Sequence, residues 1–379
     1  MRYWMVNCHI TRTENEMRTI YLIFFIFYTF SINGQNLNKI ADSLRVKYKI
    51  PEIAYAIVSV DSINEIQVLG FHKIDSKKKG DEAKISDYFH LGSNTKAITG
   101  FICAYLVEQN KINWETKFFD LFPKWKKKSN KAFYNITLED LVSHRARIQP
   151  FTSGNEYKNL PQFVGTKSEK RKQFCNYILR NEPVALNDKN FNYSNAGYSI
   201  ATLMLEKVSS TTWEELVHLV LKEKLKLNYK LGWPNRFEIN QPWGHWIEND
   251  TLKSVPPDTK YDLSLAEPAG DLSMQLHDYA KFVQLNLIGL AGKDNFLTSK
   301  TYDYLHYGKK DYSMGWGNVK DEKMQISEHA GSDGTFFCYT QIDKIKKKGF
   351  IVQINCATKE GQKGLFELLK IMKKKYGSY

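Results

Sequence analysis

Strand-like sequence is confined to the two ends of this 379-residue chain. Residues 53–60 (IAYAIVSV) and 65–70 have the pattern of a β-hairpin around a polar turn. Four more short strand-like runs lie toward the C-terminus, at 311–317, 323–329, 335–342 and 349–356. A two-stranded hairpin is only marginally stable alone, and a sheet needs a face covered by other elements. The strands at the two ends of the chain must therefore pair with each other. We therefore expect one antiparallel sheet built from both ends of the chain.

Between these ends the sequence has the periodicity of helices. Helices are predicted near 93–110, 137–144, 168–181, 195–208, 212–223 and 274–288, and one more near 361–375 after the last strand. The predicted fold class is α/β: the antiparallel sheet is flanked by helices, and a mainly helical lobe is inserted in the middle. The α/β lobe would comprise about 35–92 and 310–379, and the helical lobe about 93–309, all within one domain, 35–379.

The apolar run Ile20 to Ile32 (IYLIFFIFYTFSI) has the length of the core of a secretory signal and is too short to span a bilayer comfortably. Glutamates upstream of Met17 are awkward in a positively charged leader, which favours Met17 as the true start and cleavage near Gly34. Residues 1–34 would then be a leader, and the mature chain would be exported, to a periplasm or outside the cell, without a stable membrane span. The alternative is an uncleaved N-terminal membrane anchor.

Lysines dominate the formal charge of +13, and they fall in separate runs. Dispersed lysines are typical of solvated faces, whereas a nucleic-acid protein collects basic residues on one stripe. No nucleic-acid motif accompanies them, so we expect no nucleic-acid partner. Weak attraction to an anionic polymer of the cell envelope remains compatible with this charge.

Several classes of site lack their signatures. The four cysteines after the leader form no C-x-x-C motif and no His/Cys metal spacing. No G-x-S-x-G, H-E-x-x-H, Walker A or G-x-G-x-x-G sequence occurs either. The sequence therefore implies no metal and no organic cofactor.

A serine and a lysine stand one helical turn apart in FHLGSNTKAITG, at Ser93 and Lys96. Side chains three positions apart share one face of a helix, so the two can touch. The following residues are apolar on every face, which predicts a buried helix and a desolvated Lys96. Desolvation lowers the pKa of a lysine and lets it take up a serine proton. We also expect Gly100, one turn further, to leave room for the amine; the alternative is an N-cap serine beside a lysine that reaches solvent.

Two further motifs follow in order. Tyr193 and Asn195 lie in FNYSNAGYS, and His329 to Gly331 open HAGSDGTF before an alternating apolar strand. With SNTK at Ser93 to Lys96, this order resembles the serine β-lactamase-like hydrolases, a family that includes class C β-lactamases, penicillin-binding proteins, D-stereospecific peptidases and esterases. The resemblance covers most of the chain after the leader.

The resemblance implies roles for these residues. Ser93 would be the nucleophile and Lys96 its proton acceptor, while Tyr193, acidified by a cation such as Lys96, would act as general base and then protonate the leaving group. Asn195 would hydrogen-bond Lys96 or the substrate.

The third motif would complete the site. Backbone N–H groups of Ser93 and Ser332 would form an oxyanion hole, with Gly331 in the same strand motif. His329 would shape the acyl pocket or assist proton transfer; the alternative is a strand histidine satisfied by a polar neighbour.

Two departures from the family pattern bear on the substrate. The loop after the helix at 137–144 reads HRARIQPF, and its arginines either alter the rim of the site or face solvent. The third motif begins with His329 where many members carry a lysine that holds a β-lactam carboxylate. We expect an exported serine hydrolase that cleaves an ester or amide through an acyl-enzyme on Ser93, of esterase or D-amino-acid peptidase type with weak β-lactamase activity. The alternative is a penicillin-binding or sensor protein without turnover; in both, the partner is a small molecule or peptide, with cell-wall fragments as one source.

Overall fold

The computed structural model describes residues 36–75, 80–261 and 263–377. The predicted leader, 1–34, lies outside these ranges. Within them, no helix combines the length and the apolar character that crossing a membrane requires.

The sheet elements come from both ends of the chain and from its middle. The strands are β1 (Glu52–Ser59), β2 (Ile63–Gly70), β3 (Tyr88–His90), β4 (Tyr229–Leu231), β5 (His245–Glu248), β6 (Thr251–Ser254), β7 (Leu272–Gln275), β8 (Gly317–Lys320), β9 (Gln325–Ser332), β10 (Phe337–Asp343) and β11 (Lys348–Ile354). Their order in the main sheet is β2-β1-β11-β10-β9-β8, with antiparallel neighbours. The pairing of β1 with β11 joins the two ends, which confirms the predicted fold class.

Helices cover both faces of this sheet and fill the middle of the chain. They are α1 (Leu37–Lys47), α2 (Thr95–Glu108), α3 (Phe118–Leu121), α4 (Pro123–Lys126), α5 (Leu138–Val142), α6 (Gly154–Tyr157), α7 (Lys167–Ile178), α8 (Asn195–Ser209), α9 (Trp213–Val217), α10 (Pro234–Phe237), α11 (Glu267–Gly270), α12 (Leu276–Leu290), α13 (Ser299–Tyr307) and α14 (Lys359–Lys375). Single 3₁₀ turns occupy Gly92–Asn94 and Lys131–Phe133, and α9 runs into a wider π-helical segment, His218–Lys224.

Strand β1 shows how the layers form. Its odd-numbered residues Ile53, Tyr55 and Ile57 pack with α1 and α14, while its even-numbered residues from Ala54 to Val58 join the large core that includes α2 and α12. Both sets are buried because successive strand side chains point to opposite faces. The sheet is therefore covered on both sides.

Three details differ from the sequence expectation. The run 311–317 is a loop with one isolated bridge, and the strand begins only at Gly317, because Asp311 and Gly315 adopt positive φ angles that break an extended chain. Helix α1 was not expected. The middle of the chain also contributes short strands, β3-β7-β4 and β5-β6.

The cysteines at 103, 175, 338 and 356 are buried free thiols. They pack as small apolar side chains, as the surrounding apolar sequence indicates.

Candidate active site

Ser93 lies in the 3₁₀ turn between β3 and α2, and hydrogen bonds of the Asn94 side chain hold this turn in place. The Asn94 amide group donates to the carbonyl oxygens of Leu91 (3.2 Å) and Cys338 (3.1 Å). Its oxygen accepts a hydrogen bond from the hydroxyl of Tyr279 (3.1 Å). Asn94 is fully buried while Ser93 is only partly buried, so the hydroxyl of Ser93 is held at the surface of a fixed turn.

Lys96 is the buried lysine that the sequence predicts behind the serine. Its side chain has no solvent exposure, and its Nζ lies 3.1 Å from the Oγ of Ser93. The same Nζ lies 2.7 Å from the Oδ1 of Asn195 and 2.8 Å from the carbonyl oxygen of Ala269. The Tyr193 ring covers it, with the ring centre 4.7 Å away. The expected meeting of Ser93, Lys96 and Asn195 is present in the structure.

Burial lowers the pKa of Lys96 well below its usual value. A neutral amine has two N–H donors and one lone pair. Since the oxygens of Asn195 and Ala269 can only accept, they take the two donors. The lone pair then faces the hydroxyl of Ser93, and the arrangement can accept a proton from it.

Asn195 begins α8, and Ser194 caps this helix by accepting a hydrogen bond from the N–H of Gly197 (3.0 Å). The Asn195 Nδ2 donates to the carbonyl oxygen of Phe151 (2.8 Å). That bond fixes the orientation of the amide, so its oxygen points at Lys96. Tyr193 precedes the cap and is carried to the site by the same segment.

Tyr193 hydrogen-bonds Ser93, which lowers its pKa, but burial has the larger effect and raises it above its usual value. The expectation that Lys96 would acidify this phenol is therefore wrong. The physical reason is that burial disfavours the charged phenolate more than the hydrogen bond with Ser93 favours it. Tyr193 is a protonated phenol here and can donate a proton.

His144 packs beside Tyr193 and is a site residue that sequence reasoning missed. Its ring centre lies 4.3 Å from that of Tyr193, and its Nδ1 accepts a hydrogen bond from the backbone N–H of Ser194 (3.1 Å). Burial lowers the pKa of His144 well below its usual value. His144 ends the motif ITLEDLVSH, so its place directly before the arginine-bearing loop was the available signal.

His329 lies behind Tyr193, with 6.3 Å between ring centres. Its Nδ1 donates to the carbonyl oxygen of Ala330 (2.8 Å), and its Nε2 accepts from the hydroxyl of Tyr312 (2.9 Å). Burial lowers the pKa of His329 to about 3. Both ring nitrogens are thus satisfied inside the protein, and this geometry favours a strand histidine that supports its neighbours.

The end of β9 runs along the Ser93 turn. A Cβ on Gly331 would lie 2.1 Å from the carbonyl oxygen of Leu91 and 2.7 Å from the backbone nitrogen of Ser93. Glycine is therefore required at 331 for this contact. The contact brings Ser332, the next residue, beside the turn, so the two backbone N–H groups that the sequence assigned to an oxyanion hole come from touching segments.

Gly100 has a different role from the one expected. A Cβ at this position would lie 2.3 Å from the carbonyl oxygen of Met314. The missing side chain therefore admits the backbone of the loop that follows α13, and it leaves no extra space for the amine of Lys96.

The two arginines of the loop after α5 also have distinct positions. Arg145 donates from Nη1 to the carbonyl oxygens of Ser143 (2.9 Å) and Tyr312 (2.8 Å), and from Nη2 to that of Lys310 (2.8 Å). Arg147 is exposed and donates to the carbonyl oxygen of Val184 (3.0 Å). Arg145 therefore links the loop that follows α5 to the loop that contains Lys310 and Tyr312.

A cleft of about 600 Å³ opens in front of Ser93. Asn195 and Ser332 line it together with Ser93, and so do Tyr157, Tyr261 and Lys260. Its volume suits a small molecule or a short peptide segment.

A family model described as Beta-lactamase matches residues 37–369. Protein flp of Staphylococcus aureus is 20% identical over 335 residues, which cover 85% of this chain and 63% of that protein. Unguisins hydrolase ungD' of Aspergillus campestris is 23% identical over 291 residues, which cover 70% of this chain and 51% of that protein. The chain spans less than two thirds of the length of both curated relatives.

Among solved structures, the D-amino acid amidase from Ochrobactrum anthropi SV3, in complex with L-phenylalanine amide, superposes with a TM-score of 0.69 at 16% sequence identity. The superposition covers 90% of this chain and 99% of the amidase. Because the family model spans nearly all of the described chain, this protein belongs to the beta-lactamase family.

Proposed function

We propose that this protein is a serine hydrolase that cleaves an ester or amide through an acyl-enzyme on Ser93. The observation that carries the proposal is the amine of Lys96, which is buried, bonded to two obligate acceptors and 3.1 Å from the Ser93 hydroxyl. Buried lysines without a carboxylate partner are rare and are concentrated at functional sites.

In the acylation step, the Ser93 hydroxyl gives its proton to the lone pair of Lys96 while its oxygen attacks the substrate carbonyl carbon. The C=O electron pair moves to the carbonyl oxygen, and the N–H groups of Ser93 and Ser332 stabilise the resulting oxyanion, each contributing about 3 to 4 kcal/mol in comparable sites.

When the intermediate collapses, the bond to the leaving group breaks and the leaving group needs a proton. Tyr193 supplies it, since its raised pKa keeps the phenol protonated, and the ammonium of Lys96 restores the proton to Tyr193. Water then attacks the acyl-enzyme by the reverse proton path, which returns Ser93 and releases the acid.

We infer that the substrates are esters or D-amino-acid amides and peptides, with weak activity on β-lactams. The absence of a lysine at the first position of the third motif supports this preference for esters and amides over β-lactams. The fold shared with a D-amino acid amidase supports it as well. Cell-wall fragments are one source of such substrates. We also propose that the protein is exported, on the strength of the apolar run at Ile20 to Ile32.

A fluorophosphonate probe followed by intact mass measurement tests the nucleophile. We expect one adduct per chain in the wild type and none in the Ser93→Ala variant, with Ser76→Ala as a control because Ser76 also stands three positions before a lysine in the sequence. An adduct that persists in Ser93→Ala would overturn the assignment.

Turnover distinguishes an enzyme from a sensor. We expect the wild type to release p-nitrophenol from p-nitrophenyl butyrate, or D-alanine from a D-alanyl dipeptide, for many cycles per chain. A single stoichiometric burst without further release would contradict the hydrolase and favour the penicillin-binding sensor.

A further inference from the structure

Three buried side chains with metal-binding chemistry meet at the start of β1. Glu52 begins β1, His72 follows β2, and Asp87 precedes β3. All three have 0% relative exposure. One possible ligand atom from each lies within 4.8 Å of those from the other two.

Most of the polar atoms in this cluster lack partners outside it. His72 Nε2 and Asp87 Oδ2 lie 3.0 Å apart, and Asp87 Oδ2 also accepts from the N–H of Lys84. Among the described residues, no group outside the cluster hydrogen-bonds the carboxylate oxygens of Glu52, the Oδ1 of Asp87 or the Nδ1 of His72, and the carboxyl groups of Glu52 and Asp87 lie within hydrogen-bonding range of each other. In the described part of the chain, no lysine or arginine forms an ion pair with Glu52 or Asp87.

Buried carboxylates without a counter-charge are strongly unfavourable, because neither water nor a cation replaces their hydration. Here two of them lie in one buried cluster with a single histidine, and one oxygen of each lies within 4.8 Å of one oxygen of the other. An ionised Glu52 therefore requires a positive charge inside the cluster. Unsatisfied buried polar atoms of this kind call for an ion or another unseen group.

We propose that Glu52, His72 and Asp87 bind one divalent metal ion of the Zn²⁺ or Mn²⁺ type. Imidazole with two carboxylates is a ligand set that these ions accept, whereas Ca²⁺ and Mg²⁺ prefer oxygen ligands alone. The ligands come from three separate segments, at 52, 72 and 87. No motif of closely spaced ligands in the sequence therefore indicates the site.

The surrounding backbone is already fixed for such a site. Asn355 accepts a hydrogen bond from the N–H of Glu52 (2.8 Å) and donates to the carbonyl oxygen of His72 (3.2 Å). The ion would therefore add to an existing connection between β1 and the segment that leads through β3 to Ser93. Its role is structural: it fastens that segment to the sheet, and it takes no part in the proposed chemistry.

Metal content of the full-length protein, purified without chelators, tests the proposal by inductively coupled plasma mass spectrometry. We expect about one Zn²⁺ or Mn²⁺ per chain in the wild type and a loss of at least tenfold in Glu52→Gln. Glu267→Gln is the matched control, because Glu267 is also a buried glutamate but pairs with Lys167.

A second measurement needs no variant. The wild type, freed of metal by a chelator and dialysed, is titrated with ZnCl₂ or MnCl₂ and melted. Saturation at about a hundredfold excess over Kd should raise the melting temperature by roughly 3 to 6 °C, since the ion binds only the folded chain. A metal-free purified protein whose melting temperature is unchanged by either ion would overturn the proposal.

Discussion

The Nζ of Lys96 and the Oδ1 of Asn195 lie 2.7 Å apart, and the amide that supplies this oxygen is itself held by Phe151. This pair decides which way the amine points. Because Asn195 and Ala269 take the two N–H donors of a neutral Lys96, its lone pair is left for Ser93. The proposed chemistry depends on this orientation of the amine.

The rate of acylation should rise with pH well below pH 10. Only the neutral form of Lys96 can accept the Ser93 proton, and burial lowers the pKa of this lysine from its usual 10.5. The second-order rate of a fluorophosphonate probe, measured across pH, should therefore reach a plateau where an ordinary lysine would still be charged. Lys96→Arg, which stays protonated, should react at least a hundredfold more slowly at every pH. A wild-type rate still rising near pH 10.5 would contradict a neutral Lys96 at physiological pH.

Asn195→Asp should move this pH profile to higher pH. A carboxylate beside Lys96 favours the ammonium, so it raises the pKa of the lysine and delays formation of the reactive amine. Asn176→Asp makes the same charge change on α7, where Asn176 contacts Arg180, and should leave the profile in place. Identical pH profiles for Asn195→Asp and the wild type would argue against contact between this side chain and Lys96.

His144 should act as a positioning residue for Tyr193. Its Nδ1 accepts the N–H of Ser194, and its backbone has a φ of 64°, a conformation that asparagine tolerates well. His144→Asn can keep both the acceptor and the backbone, whereas His144→Phe keeps a ring but leaves the amide unsatisfied. We expect acylation to fall about tenfold or more in His144→Phe and to be largely retained in His144→Asn. Equal rates in the two variants, with equal melting temperatures, would speak against the role of this hydrogen bond.

The two arginines of the loop after α5 should differ in their effect on stability. Arg145→Ala removes three hydrogen bonds to carbonyl oxygens and should lower the free energy of unfolding by about 1 to 3 kcal/mol. Arg147→Ala, at an exposed position, should change it by less than about 0.5 kcal/mol. Urea denaturation of both variants measures the difference. If Arg147→Ala proved the more destabilising, the structural role given to Arg145 would be wrong.

The sequence predicts the sheet because its strands carry a strong local pattern. In β1, apolar side chains face both layers, and the long helices α2, α8 and α12 are densely apolar. Such elements are specified by the residues they contain. Helix α1 could have been found in the same way, because Leu37, Ala41 and Leu44 follow helical spacing behind the cap residue Asn36.

Other features depend on partners that the sequence does not reveal. Strands β3, β4 and β7 are three or four residues long, too short for a periodic signal, and they exist because β7 pairs with the other two. The raised pKa of Tyr193 follows from burial by segments distant in sequence, so a local motif could not predict its direction. The spacing of Ser93 and Lys96, by contrast, was enough to predict their contact, since one helical turn determines it.

The partner of β1 in the sheet has a consequence for biosynthesis. Ile53 pairs with Ile354, so the first hairpin leaves the ribosome long before the strand that completes it. At typical translation rates of about 5 to 20 residues per second, that interval lasts roughly 15 to 60 s. During this time the inner edge of the hairpin offers unpaired backbone groups to any neighbouring chain. A nascent chain of this topology has reason to depend on a chaperone until its last strand is made.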